Sequence, residues 1–199
     1  MKKVGLFAIL TVFSVAFAQA QNPSDLIQFG AKGGVNFSTI TGDGFENPSS
    51  RTGFHAGFVI EMPVNDRFSI QPEILYSNKG FTSEGTIAGT DYEAEYKMDY
   101  IDIPIMAKIY LLNGLNLQVG PQIGFRINEE VEYNTDLGDA VDEFDSDEND
   151  IGFGIGAGLG YKFASGFFIQ GRYNYGFTEI YPDSESHNSV IQAGVGFMF

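Results

Sequence analysis

The sequence predicts an all-β chain: an eight-stranded antiparallel up-and-down transmembrane β-barrel with four long external loops and three short periplasmic turns. Three observations predict it. Eight segments alternate apolar and polar residues with period two. The connectors between them are alternately long and short. An export signal precedes them all.

The signal is "MKKVGLFAILTVFSVAFAQAQNP": Lys2 and Lys3, an apolar run from Val4 to Ala18, and small residues at Ala18 and Ala20. This order predicts a secretory signal peptide over residues 1–20, cut after Ala20, and a single mature domain over 21–199. The absence of cysteine excludes both an N-terminal lipid-modified anchor and a disulfide. Removing two lysines leaves 9 basic and 26 acidic residues, a formal charge of −17. Such a chain repels phosphate backbones, which excludes nucleic acid as a partner. Its mature part has no apolar run of 18 residues, so no helix is expected to span a membrane.

The first strand, "FGAKGGVNF", sets Phe29, Ala31, Val35 and Phe37 against Lys32 and Asn36. In "FHAGFVIEM", Phe54, Ala56, Phe58 and Ile60 oppose His55, Gly57 and Glu61. "FSIQPEILYS" sets Phe68, Ile70, Ile74 and Tyr76 against Gln71 and Glu73, and "YIDIPIMAKIYL" sets Ile101, Ile103, Ile105, Ala107 and Ile109 against Asp102, Pro104 and Lys108. In "LNLQVGPQIGFRI" the apolar side runs from Leu115 to Phe125 opposite Gln118, Gln122 and Arg126. "DIGFGIGAGLGYKF" alternates five glycines, Gly152 to Gly160, with Ile151, Phe153, Ile155, Ala157, Leu159 and Tyr161. "FFIQGRYNYGFT" places Phe167, Ile169, Tyr173, Tyr175 and Phe177 opposite Gln170, Arg172 and Asn174. The eighth strand, "SVIQAGVGFMF", places Ile191, Ala193, Val195, Phe197 and Phe199 on one face.

Short connectors are "PVNDR", "NG" and "ASG"; the dipeptide Asn113-Gly114 is the strongest of these hairpin signals. Long polar connectors are expected over Ser38–Arg51, Asn78–Glu95, Asn128–Asn149 and Glu179–Asn188. All tight turns thus fall at one end and all long loops at the other, the arrangement of outer-membrane barrels.

The charges decide which face points where. Lys32, Glu61, Glu73, Asp102, Lys108, Arg126, Lys162 and Arg172 share the face of the glycines. A soluble core could not hold them unpaired without a cost of several kcal/mol per ion. Inside a small barrel in lipid they can form a lumen charge network, and eight strands leave an interior that side chains fill, so no open pore is expected. The bulky face then meets outer-membrane lipid, with aromatics such as Phe163, Phe167 and Phe199 at one end and Phe54, Phe125 and Phe177 at the other.

The stretches "FGAKGGVNFSTITGD", "TGFHAGFVIE", "FSIQPEILYSNKG" and "YIDIPIMAKIY" resemble successive signatures of the PorT-like outer-membrane β-barrel family of Bacteroidetes, with the resemblance running from about Phe29 to Phe199. It implies a cell outer-membrane location. Because the family's namesake is associated with type IX secretion and gliding, it also offers a secretion-associated role as an alternative. The terminal "GFMF" resembles the aromatic-ended signal read by the barrel insertion machinery, a partner during assembly.

No cofactor is expected. Gly152, Gly154 and Ala157 fit G-x-G-x-x-A, but period two runs straight through them where a dinucleotide site needs a helix. The loop "NTDLGDAVDEFDSDENDIG" gathers acidic residues; Asp145, Asp147 and Asn149 match the opening of an EF-hand, but Asp150 stands in place of its glycine and Gly156 in place of its closing glutamate. Asp142, Asp145, Asp147 and Asp150 therefore stand only as candidates for weak Ca²⁺ or Mg²⁺ binding, against a merely solvated acidic loop. His187 beside Ser184, Glu185 and Ser186, together with His55, would be the residues of a lipid-modifying hydrolase, although no spacing enforces that geometry. The expected role is non-enzymatic, a structural or interaction barrel whose acidic external loops meet partners or cations.

Overall fold

The computed structural model describes residues 27–42, 48–87, 90–135, 140–144, 151–180 and 186–199. The expected signal peptide and Asp145, Asp147 and Asp150 lie outside the described residues. The strands are β1 (Gln28–Thr41), β2 (Pro48–Asn65), β3 (Phe68–Ile87), β4 (Thr90–Tyr110), β5 (Leu115–Thr135), β6 (Ala140–Phe144), β7 (Ile151–Lys162), β8 (Phe167–Glu179) and β9 (His187–Met198). Every neighbouring pair is antiparallel, and the sheet closes where β1 runs against β9, from Gly30 opposite Met198 to Thr41 opposite His187. The short β6 pairs with β5 from Glu129 to Tyr133, above the stretch Leu115–Phe125 that pairs with β7. The two share one place in the wall, so the ring has eight places. Closure leaves no ladder edge facing lipid, as a membrane requires.

Tight turns join the strands at the inner end. Gly114 and Gly166 adopt φ of 86° and 90°, the left-handed region that glycine enters without a Cβ penalty. At the outer end the structure corrects the expectation of loops over Asn78–Glu95 and Asn128–Asn149. β3 and β4 continue as one ladder to Ile87 opposite Thr90, and β5 continues to Thr135. These stretches read as loops because they lack a continuous apolar face. Above the bilayer no lipid demands such a face, and backbone pairing with inward contacts such as Phe81 against Tyr96 sustains the strands.

The two faces are sharply separated. On β2, Phe58 is 63% exposed and Glu61 is 1% exposed. The exposed set also includes Ile74, Val119, Ile155, Leu159 and Val195. Such a band is out of place in water and is what the hydrocarbon of a bilayer covers.

The lumen differs from a purely polar interior. Val59, Phe168 and Met198 form a buried cluster toward the short turns, and Ile40, Phe81, Met98, Tyr100 and Ile180 form another toward the outer end. Strict alternation also fails at one place on β5. Asp99 faces Asn128 while Tyr100 faces Arg126, so Ile127 is an extra residue, a β-bulge that turns Glu129 and Val131 inward.

Inward glycines make room for large neighbours. A Cβ on Gly194 would lie 3.0 Å from His55 Nε2, one on Gly34 2.8 Å from His55 Cε1, and one on Gly156 3.2 Å from Arg172 Cδ. Gly171 points outward, and its nearest such neighbour is 4.0 Å away. Gly194→Leu is therefore expected to destabilise the barrel by about 1–3 kcal/mol through overpacking, and Gly171→Ala to change it little. Urea unfolding of the refolded protein in vesicles would distinguish them, and equal effects would contradict this packing.

Candidate functional site

Alternate inward positions on β1 to β4, β7 and β8 bring charged side chains to two carboxylates. Glu73 on β3 is the first centre. Lys32 Nζ donates to its Oε2 at 2.6 Å, and Arg172 donates through Nη1 and Nη2 at 3.0 and 2.8 Å. Gln71 Nε2 adds a further bond to Oε1 at 2.7 Å. The side chains of Lys32, Glu73 and Arg172 are wholly buried. Arg172 makes the planar two-bond contact that guanidinium and carboxylate favour.

Glu61 on β2 is the second centre. It accepts from Lys108 Nζ and Lys162 Nζ, both at 3.1 Å, and from the Tyr110 hydroxyl at 2.5 Å. Gln71 joins the two centres, because its Oε1 accepts from Lys108 at 2.9 Å while its amide nitrogen serves Glu73. Six of the eight lumen residues singled out in the sequence thus meet in one network. Asp102 instead pairs with Lys79 at 2.8 Å, a lysine that sequence reading leaves in a loop. Arg126 pairs with Glu129 at 2.8 Å, across the bulge that period two cannot foresee. Polar residues without charge complete the filling: Asn36 Oδ1 lies 2.8 Å from His55 Nδ1 and accepts from Gln192 Nε2 at 3.0 Å.

The two histidines are far apart. His55 lies opposite Gly34 on β1, whereas His187 lies opposite Thr41, seven positions further along the same strand, with its ring against Tyr175. Asp142 lies on β6 opposite Val131; Ser184 and Glu185 are outside the described residues. Above the bilayer, Arg51 bonds Glu95 and Asn78, each at 2.6 Å, and Lys97 pairs with Glu132. The hydrogen bond from Lys97 holds the Glu132 carboxyl below the ordinary glutamate range.

What this arrangement can do is hold a barrel shut. Charged groups cross-link β1, β2, β3, β4, β7 and β8, with one apolar cluster beside them, where Val59 lies opposite Glu73 and Phe168 opposite Lys162, and another toward the outer end. A family described as the outer membrane protein β-barrel domain matches residues 17–181. The chain belongs to that family. This outer-membrane barrel is also similar in fold to Ail, the attachment invasion locus protein of Yersinia pestis, at 15% identity over 86% of this chain and 98% of that one, with a TM-score of 0.51. Neisserial surface protein A matches at 13% identity over 86% of this chain and 97% of that one, with a TM-score of 0.53. No curated protein matches the sequence. Family membership and the closed eight-place ring put the protein in the outer membrane.

Proposed function

We propose that this barrel is a non-enzymatic interaction protein whose acid-rich outer side meets cationic partners or divalent cations, on a transmembrane body that conducts nothing. The observation that carries the reading is the filled lumen: Lys32, Glu73 and Arg172, fully buried and mutually bonded, leave the outer side as the surface free to vary. That side is strongly acidic. Residues 42–51, 78–99, 126–150 and 178–188 hold 21 of the 26 acidic residues and 4 of the 11 basic ones. Ail has been solved with the heparin analogue sucrose octasulfate. A polyanion of that kind would be repelled here, so a partner of opposite charge fits the outer side better. In this reading residues 1–20 are removed on export, and Asp142, Asp145, Asp147 and Asp150 belong to the cation-meeting loop. A secretion-associated role rests on the PorT-like resemblance alone.

Two measurements test the proposal. In planar bilayers the purified barrel is expected to give no conductance steps; regular unitary steps would overturn the closed-body claim. In nanodiscs, polylysine is expected to bind with an affinity that falls steeply as salt rises. Replacing the acidic residues of 139–150 by Asn or Ser is expected to remove most of that binding. Binding that ignores both salt and the replacements would overturn the outer-side claim.

A further inference from the structure

The wall between β7 and β8 is incomplete at its outer end. The ladder stops at Gly154 opposite Gly176, although β7 begins at Ile151 and β8 runs on to Glu179. Where the next backbone pairing belongs, the Phe153 N–H donates instead to Thr178 Oγ1 at 2.9 Å. On its other side β8 is also irregular, with a register shift between Tyr175 and Glu179 against β9. A cavity of about 620 Å³ lies at this seam. It is lined by lumen-facing Tyr100, Asp102 and Asn174 and also by residues Phe153 and Phe177, whose side chains are exposed on the outer face. The cavity lies against the stretch where no ladder pairing joins Ile151–Phe153 to Phe177–Glu179, so the backbone does not seal the wall there. Its size falls in the range of small-molecule sites.

A polar group inside it lacks a partner. Asn174 is 7% exposed, and neither Oδ1 nor Nδ2 has a hydrogen-bond partner among the described residues. Leaving both ends of a buried amide unmet is costly, and a ligand offering one donor and one acceptor would relieve it. The lining gives no positive excess to hold an acid: Lys79 is paired with Asp102, Arg126 is paired with Glu129, and Glu179 adds a further negative charge. We propose that this seam is a lateral binding site for one single-chain amphiphile. Its uncharged hydroxyl- or amide-bearing head would bond Asn174 inside the lumen, and its acyl chain would leave between Phe153 and Phe177 into the outer leaflet.

The test is native mass spectrometry of the refolded full barrel, with folding followed by heat-modifiable gel migration, using 1-lauroylglycerol and laurate as probes. One 1-lauroylglycerol per barrel is expected, with laurate bound more weakly. Asn174→Leu is expected to weaken the glyceride roughly tenfold, the loss of about one hydrogen-bond pair. Gln170→Leu removes another buried amide that does not line the cavity, and is expected to leave binding unchanged. Should Asn174→Leu fail to fold, Asn174→Asp keeps the side-chain shape but cannot donate as a carboxylate, and the same weakening is expected. No one-to-one complex, equal binding by the Asn174 variants, or laurate bound as tightly as the glyceride would overturn the proposal.

Discussion

Glu73→Ala is expected to cost the barrel about 3–5 kcal/mol, because it leaves two cations buried without a counter-charge. Lys32 and Arg172 both lose their carboxylate, and neither side chain reaches solvent. Gln71 loses an acceptor as well, which loosens its link to Lys108 and the Glu61 centre. Replacing all three charges together, as K32M/E73L/R172L, is expected to recover most of the loss, since an apolar filling of similar volume carries no desolvation penalty. Urea unfolding in lipid vesicles checks both. A network that matters only for shape would show single and triple variants equally damaged. A dispensable one would show neither damaged.

The second large effect concerns the opposite face. Val119 is an exposed apolar residue near the middle of the stretch Leu115–Phe125 of β5 that pairs with β7, opposite Ala107 on one side and Ala157 on the other. Arginine there would sit in hydrocarbon, and Val119→Arg is expected to cost about 2–4 kcal/mol. Leu112, in the inner turn, is more exposed still at 72%. Leu112→Arg is nevertheless expected to cost only about 0–1 kcal/mol, because the charge reaches the interface. In a water-soluble barrel both would be ordinary surface changes within about 0.5 kcal/mol. The contrast between them therefore reports the solvent, and the same unfolding assay measures it.

What the sequence displays of this fold follows from what lipid imposes. Where a strand crosses the bilayer, one face must be apolar, so β7 and β8 display their alternation and their inward glycines openly. Above the bilayer that demand ends. The hairpin of β3 and β4 then reads as loop although its backbone stays paired. The same limit hid Lys79, whose partner Asp102 was visible on a transmembrane stretch while Lys79 itself was not. Arg126 was visible but its partner was not, because a single inserted residue at Ile127 reverses the parity on which the reading depended. Phe81 lies in that same stretch of β3, whereas Phe168 escapes notice for a different reason: an inward aromatic breaks no pattern when its neighbours on the other face, Phe167 and Ile169, are also apolar. Which inward charges bond one another depends on strand register and shear, and period two carries neither.

The central claim is that the bulky face meets lipid and the charged and glycine face meets the lumen. Because the chain has no cysteine, single cysteines can be placed without background along β5 from residue 116 to residue 123. With each barrel folded in vesicles, labelled with an environment-sensitive dye and exposed to a nitroxide on the lipid chains, quenching is expected to alternate. It should be strong at Leu117, Val119, Pro121 and Ile123 and weak at Asn116, Gln118, Gly120 and Gln122. Quenching without alternation, or strongest at the glutamine and glycine positions, would contradict the account.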